Sequence, residues 1–263
     1  MNIVYKILIF LKGTMETPKP YGWFHLMWIG LIIISVFLLS KKKKESDLKI
    51  VLATYSIIGI ILEILKQIIW SFYYDNGIVT WDYTWYAFPF QLCTTPLIAS
   101  LMCVFLKDGK LKDSLLAYMA YVTILGSIAT VIMPDSCFVK DTLINIHTMW
   151  LHCGSLVVSL YILITGRISK DISSYKNAIT TFIAFAFIAN TLNVFMYESG
   201  ILGDETFNMF YISPYFISSL PVFDYLQTHL IYPIYLALYL IILSIGASFV
   251  YFIYSIIKPK RTS

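Results

Sequence analysis

The chain has 263 residues, 59% of them hydrophobic and only 13% charged, with 19 basic and 15 acidic side chains for a formal charge of +4. That balance leaves no polar stretch long enough for a water-soluble domain. Nor is the positive excess a nucleic-acid footprint, because most lysines and arginines fall in four short clusters between or after apolar runs, where they meet anionic lipid headgroups.

In chain order, residues 1–13 (MNIVYKILIFLKG) are broken by Lys6 and lack a small-residue cleavage site. They read as an interfacial helix within an outer N-terminal segment, 1–22, and not as a signal peptide. Seven apolar stretches follow, at 23–40, 50–73, 87–106, 113–133, 143–165, 177–197 and 229–257. Each is close to the length that crosses a hydrocarbon core of about 30 Å as a helix. The basic clusters are Lys41–Lys44 with Lys49; Lys107, Lys110 and Lys112; Arg167, Lys170 and Lys176; and Lys258, Lys260 and Arg261. Every cluster follows an odd-numbered stretch. The positive-inside rule therefore predicts an all-α, polytopic membrane bundle of about seven transmembrane helices, N-terminus outside and C-terminus cytoplasmic.

The opposite loops carry acids instead, Asp75, Asp82, Asp135, Asp141, Glu198, Asp204, Glu205 and Asp224, and aromatic residues from Tyr21 to Tyr86 gather at that boundary as an interfacial belt. Segment 198–228 contains MFYISPYFISSLP, too short and too broken by proline to span, and reads as an outer, lid-like loop. Cys93, Cys103 and Cys153 lie within spans and Cys137 in an outer loop, so neither a disulfide framework nor metal-type spacing is present. Residues 1–263 thus read as a single integral membrane domain, multi-pass in the cell membrane. Its expected partners are membrane lipids, with no nucleic acid, cofactor or metal, and its oligomeric state is open.

Polar residues at helical spacing mark the faces that look away from lipid. In the second stretch the stripe is Ser56, Gly59, Glu63, Lys66, Trp70, and in the fifth it is Asn145, Thr148, His152, Ser155, Ser159. The fifth stripe misses His147, which is about 140° round the helix from His152. In the sixth stretch Asn190, Asn193 and Tyr197 share a face. Gln91 and Cys93 face one cavity only if the third helix is irregular, and Pro89 and Pro96 supply grounds for that. Counting the rise from the span ends puts Cys93, Asn190, Asn193, Glu63 and His152 in one layer, about 8–14 Å below the outer boundary.

The run Glu63, Lys66, Trp70, the segment Pro89-Phe90-Gln91-Leu92-Cys93, the histidine-bearing fifth span, and Asn193 followed by Asn208-Met209-Phe210-Tyr211 resemble the YwaF family of bacterial integral membrane proteins. Gln91 stands where that family's L-P-L-H-L-C signature has histidine. The family is similar, distantly, to a eukaryotic transmembrane acyltransferase family that remodels ether phospholipids with a cysteine near the start of one span and a histidine in a later one. That nucleophile aligns with Cys93 or with Phe90. The resemblance implies acyl transfer, with Cys93 as nucleophile and His152 as general base. Glu63, Lys66, Gln91, Asn190 and Asn193 would then contact substrate.

A second class fits the same residues. In it the chain is a non-enzymatic transporter, channel or lipid- or solute-binding receptor, with Glu63, Lys66 and His152 in the binding or proton-coupling site.

Overall fold

Charged turns at one end and aromatic, proline-containing turns at the other send the apolar helices back and forth through the bundle. The computed structural model describes residues 3–76, 78–134 and 137–257; Asp135 and the cluster Lys258, Lys260, Arg261 lie outside the described residues. The helices are α1 (Ile3–Lys12), α2 (Trp23–Leu39), α3 (Glu45–Ser71), α4 (Thr95–Phe105), α5 (Lys110–Tyr118), α6 (Ile124–Ile132), α7 (Thr142–Thr165), α8 (Ile172–Glu198), α9 (Phe223–His229) and α10 (Tyr232–Ile257). A two-stranded antiparallel hairpin, β1 (Phe72–Asp75) and β2 (Ile78–Trp81), follows α3 and pairs Phe72 with Trp81.

Five of these rods, α3, α5–α6, α7, α8 and α10, are long and apolar enough to cross a membrane among the described residues. Two expected spans are shorter. Helix α2 has 17 residues and α4 has 11, about 26 and 17 Å at 1.5 Å per residue. The stretch 87–106 is therefore corrected: only its second half is α-helix. Phe88, before Pro89, is extended at φ −48° and ψ 135°, the bias that a following proline imposes. Pro96 falls in the first turn of α4, where a missing N–H leaves no helical bond unmade. The Leu92 carbonyl is taken instead by Thr95 Oγ1 at 2.9 Å.

Side-chain pairings at the two ends show the alternation of direction. At one end Tyr5 stacks on Tyr74 with ring centroids 3.9 Å apart. There too, Lys12 pairs with Asp141 at 3.2 Å and the Tyr21 hydroxyl donates to the Ile132 carbonyl at 2.6 Å. At the other end Arg167 Nη2 donates to the Lys44 carbonyl at 2.6 Å, and Lys112 Nζ sits between Glu45 (2.6 Å) and Asp108 (2.7 Å). That ammonium holds the Asp108 carboxyl below the usual carboxylate range. The expected outer loops thus share one end, and the three described basic clusters share the other.

The core runs along α7 and the α5–α6 rod, where Tyr118, Met119, Ala120 and Tyr121 have no exposed surface. A π-helical turn, Met119–Thr123, joins α5 to α6. The Met119 carbonyl accepts from Thr123 Oγ1 at 2.9 Å and from Ser159 Oγ of α7 at 2.6 Å, so the widened turn fastens two central rods. Helix α3 approaches α4 at Gly59, where an added Cβ would lie 2.3 Å from Leu97 Cδ2.

The segment expected as an outer lid is in part built into the bundle: Phe207, Met209, Phe210 and Ile212 have no exposed surface. Phe210 and Tyr211 both adopt φ 59°, a left-handed backbone that costs a side-chain-bearing residue roughly 1–2 kcal/mol. Such a turn persists only where its surroundings hold it.

Candidate functional site

Glu63 on α3 is the centre of a closed polar cluster. Its Oε2 bonds His147 Nε2 of α7 at 2.7 Å. Its Oε1 pairs with Lys66 Nζ at 2.5 Å and accepts from Gln67 Nε2 at 2.7 Å. Lys66 Nζ and Gln67 Nε2 also donate to the Ala87 carbonyl, at 3.1 and 2.6 Å. The helical steps of three and four put Lys66 and Gln67 beside Glu63, while the 3-10 turn Trp85–Ala87 brings in the carbonyl. Glu63, Lys66 and His147 are 6, 7 and 4% exposed. Burial at that level is tolerated because the carboxylate is matched by an ammonium and both its oxygens are bonded. Gln67 Oε1 is buried with no hydrogen-bond partner among the described residues.

The histidine of this cluster is His147, which the face argument had set aside in favour of His152. A single face is a sound guide for a helix at the edge of a bundle, but α7 packs against α2, α3 and α6 and buries residues nearly all round. Two of its faces therefore look inward. Gln67 was also missed, although its i+4 spacing from Glu63 was visible.

Cys93 lies on the turn that leads into α4, just before the N-cap Thr94. The Thr94 and Thr95 N–H groups both bond the Gln91 carbonyl, at 2.9 and 3.1 Å. Lys66 and Glu63 are within electrostatic reach of the Cys93 thiol, as are the phenols of Tyr55, Tyr118 and Tyr211. Cys93 and His152 are each half-buried and keep some accessible surface. No hydrogen bond joins the two among the described residues. The Tyr55 hydroxyl donates to the Leu151 carbonyl, next to His152, at 3.2 Å.

The three amides are engaged elsewhere. Gln91 donates from Nε2 to the Asn208 carbonyl at 3.1 Å and accepts the Phe210 N–H at Oε1, 2.9 Å. Asn193 does the same with Met209, its Nδ2 on the carbonyl at 3.0 Å and its Oδ1 on the N–H at 2.7 Å. Asn190 bonds the Tyr232 hydroxyl, which also reaches the Ile212 carbonyl at 2.9 Å. Together they clamp segment 208–212 in its left-handed turn, and among the described residues none is hydrogen-bonded to Glu63 or His152.

Apolar helices of alternating direction around a buried, charge-balanced cluster define a polytopic α-helical membrane protein. The chain belongs to the TMEM164 family, whose model matches residues 19–251. No curated protein and no solved structure matches it.

Proposed function

We propose that the chain is a membrane-embedded lipid acyltransferase in which Cys93 is the nucleophile and His152 its general base. The observation that carries this reading is that Cys93, on the turn that opens a helix, keeps accessible surface, as His152 does. A thiol inert in a core has no such surface.

In the proposed step, Cys93 Sγ attacks the carbonyl carbon of a phospholipid acyl ester while His152 takes the thiol proton. The ester C–O bond breaks, and the imidazolium returns the proton to the departing lysophospholipid oxygen. The hydroxyl of a second lysophospholipid then attacks the thioester, its proton passing through His152 back to sulfur. The Cys93 N–H, with no carbonyl partner among the described residues, supplies a donor for the oxyanion. Gln91, Asn190 and Asn193 act by holding segment 208–212 over the site, and Glu63 and Lys66 act by fixing Ala87 and the chain that leads to Cys93. A transporter or receptor reading draws less support, because both Glu63 oxygens and Lys66 Nζ are already bonded within the protein.

The same reading places all seven apolar segments in the cell membrane with the lysine-rich end cytoplasmic, following the positive-inside rule. A YwaF-type assignment rests on the short motifs alone. The test is turnover of labelled lysophospholipid by purified protein. His152→Ala should lose about 10²–10⁴-fold, the usual worth of a general base, and Cys93→Ala should lose turnover entirely. Wild-type protein that turns over no lipid yet binds a soluble ligand in a Glu63-dependent way would replace this reading with the transporter one.

A further inference from the structure

Helices α2 and α3 each pack against α7 but barely against one another. Between them lies a groove of about 330 Å³, walled by Trp28 and Leu39 of α2 and Ile50 and Thr54 of α3, and floored by Trp150 and Gly154 of α7. Gly154 keeps the floor low: a Cβ there would lie 2.8 Å from the Tyr55 ring. From Trp28 to Leu39 the groove is about 17 Å long at 1.5 Å per residue, close to half of a hydrocarbon core of about 30 Å. It therefore has the depth of one leaflet.

At its Leu39 end the chain turns through Lys41–Lys44. This turn is braced from behind, because the Tyr161 hydroxyl donates to the Lys42 carbonyl at 2.9 Å and Arg167 Nη2 to the Lys44 carbonyl at 2.6 Å. Lys41, Lys42 and Lys43 are exposed and carry no ion pair to a described residue. Of the acids beside the turn, Glu45 is paired with Lys112 at 2.6 Å and Arg167 at 3.3 Å, and Asp47 accepts from the Lys44 N–H at 2.9 Å. A cluster of ammonium groups without carboxylate partners among the described residues, on a braced backbone and with that of Lys41 over the Phe37 ring at 4.4 Å, thus sits at the mouth of an apolar groove one leaflet deep.

We propose that this is a docking site for an anionic phospholipid, with one acyl chain in the α2/α3/α7 groove and its phosphate among Lys41, Lys42 and Lys43. The site is separate from Cys93 and does not depend on the acyl-transfer reading. A zwitterionic lipid fills the groove equally well but gains less from the lysines. Each lysine near the headgroup is worth about fivefold in affinity.

The full chain in nanodiscs of mixed phosphatidylglycerol and phosphatidylcholine, extracted gently and weighed by native mass spectrometry, tests the idea. The wild type should retain phosphatidylglycerol over phosphatidylcholine by at least about tenfold. Lys41→Gln/Lys42→Gln/Lys43→Gln should lose the preference. Ser35→Trp/Thr54→Trp, two groove positions that are not fully buried, should lose the retained lipid without loss of fold. Equal retention of the two lipids by wild type overturns the proposal, as does a lysine variant that keeps the preference. A groove-filled variant that still retains phosphatidylglycerol overturns it too, because the attraction is then that of a polybasic surface alone.

Discussion

His147 Nε2 and Glu63 Oε2, 84 residues apart in sequence, meet at 2.7 Å inside the bundle and fasten α7 to α3. Removing the carboxylate leaves Lys66 buried with the Ala87 carbonyl and the Trp70 ring but no counter-charge among the described residues, whereas removing the imidazole leaves Glu63 still paired with Lys66. Breaking a buried pair from one side costs about 3–5 kcal/mol. Glu63→Ala should therefore lower the thermal unfolding temperature in detergent more than His147→Ala does. Equal midpoints for Glu63→Ala and wild type would show that the cluster carries no structural weight.

Gln91 and Asn193 each bond both an N–H and a carbonyl of the 208–210 main chain. A buried main-chain group left without its partner costs about 1–3 kcal/mol, and the left-handed turn at Phe210 and Tyr211 adds its own strain. Hydrogen exchange over residues 207–217 should quicken in Gln91→Ala and in Asn193→Ala while α7 stays protected. Unchanged exchange in both variants would return these amides to the role of substrate ligands.

Gly59 tests the α3–α4 approach. Gly→Ala in a helix gains up to about 1 kcal/mol of propensity, but overpacking a tight contact costs about 1–3 kcal/mol. With Leu97 Cδ2 2.3 Å and Cγ 3.2 Å from the added Cβ, the leucine must move as a whole, so the second effect wins. Gly59→Ala should lower the unfolding midpoint, and should lower it less, or not at all, in a Leu97→Ala background. Additive losses would mean that the two positions do not share this contact.

Orientation is tested by labelling single cysteines in intact cells with a reagent that does not cross the membrane. Lys43→Cys should stay unlabelled until the membrane is opened, and Asp204→Cys should label at once. The reverse pattern would invert the topology.

The long hydrophobic runs made the rods legible, and the polar stripe from Ser56 to Trp70 correctly placed Glu63 and Lys66 in the interior. Hydropathy alone does not separate a helix from an apolar chain that dips in and turns, so residues 88–94 read as part of a full span. Pro89 and Pro96 carried the only warning. The partners of Gln91 and Asn193 were hidden for a related reason: segment 208–213 has no periodicity, so nothing in its sequence says which helices it lies between. His147 was lost because α7 is central and a one-face rule does not hold there.

The acyl-transfer account turns on whether Cys93 forms a thioester. Purified protein incubated with phospholipid and digested under conditions that preserve thioesters should give a Cys93 peptide heavier by one acyl group in place of the thiol hydrogen. That mass should be absent in Cys93→Ala and released by hydroxylamine. Turnover of lysophospholipid with no acyl group on Cys93, or turnover unchanged in Cys93→Ala, would contradict the account.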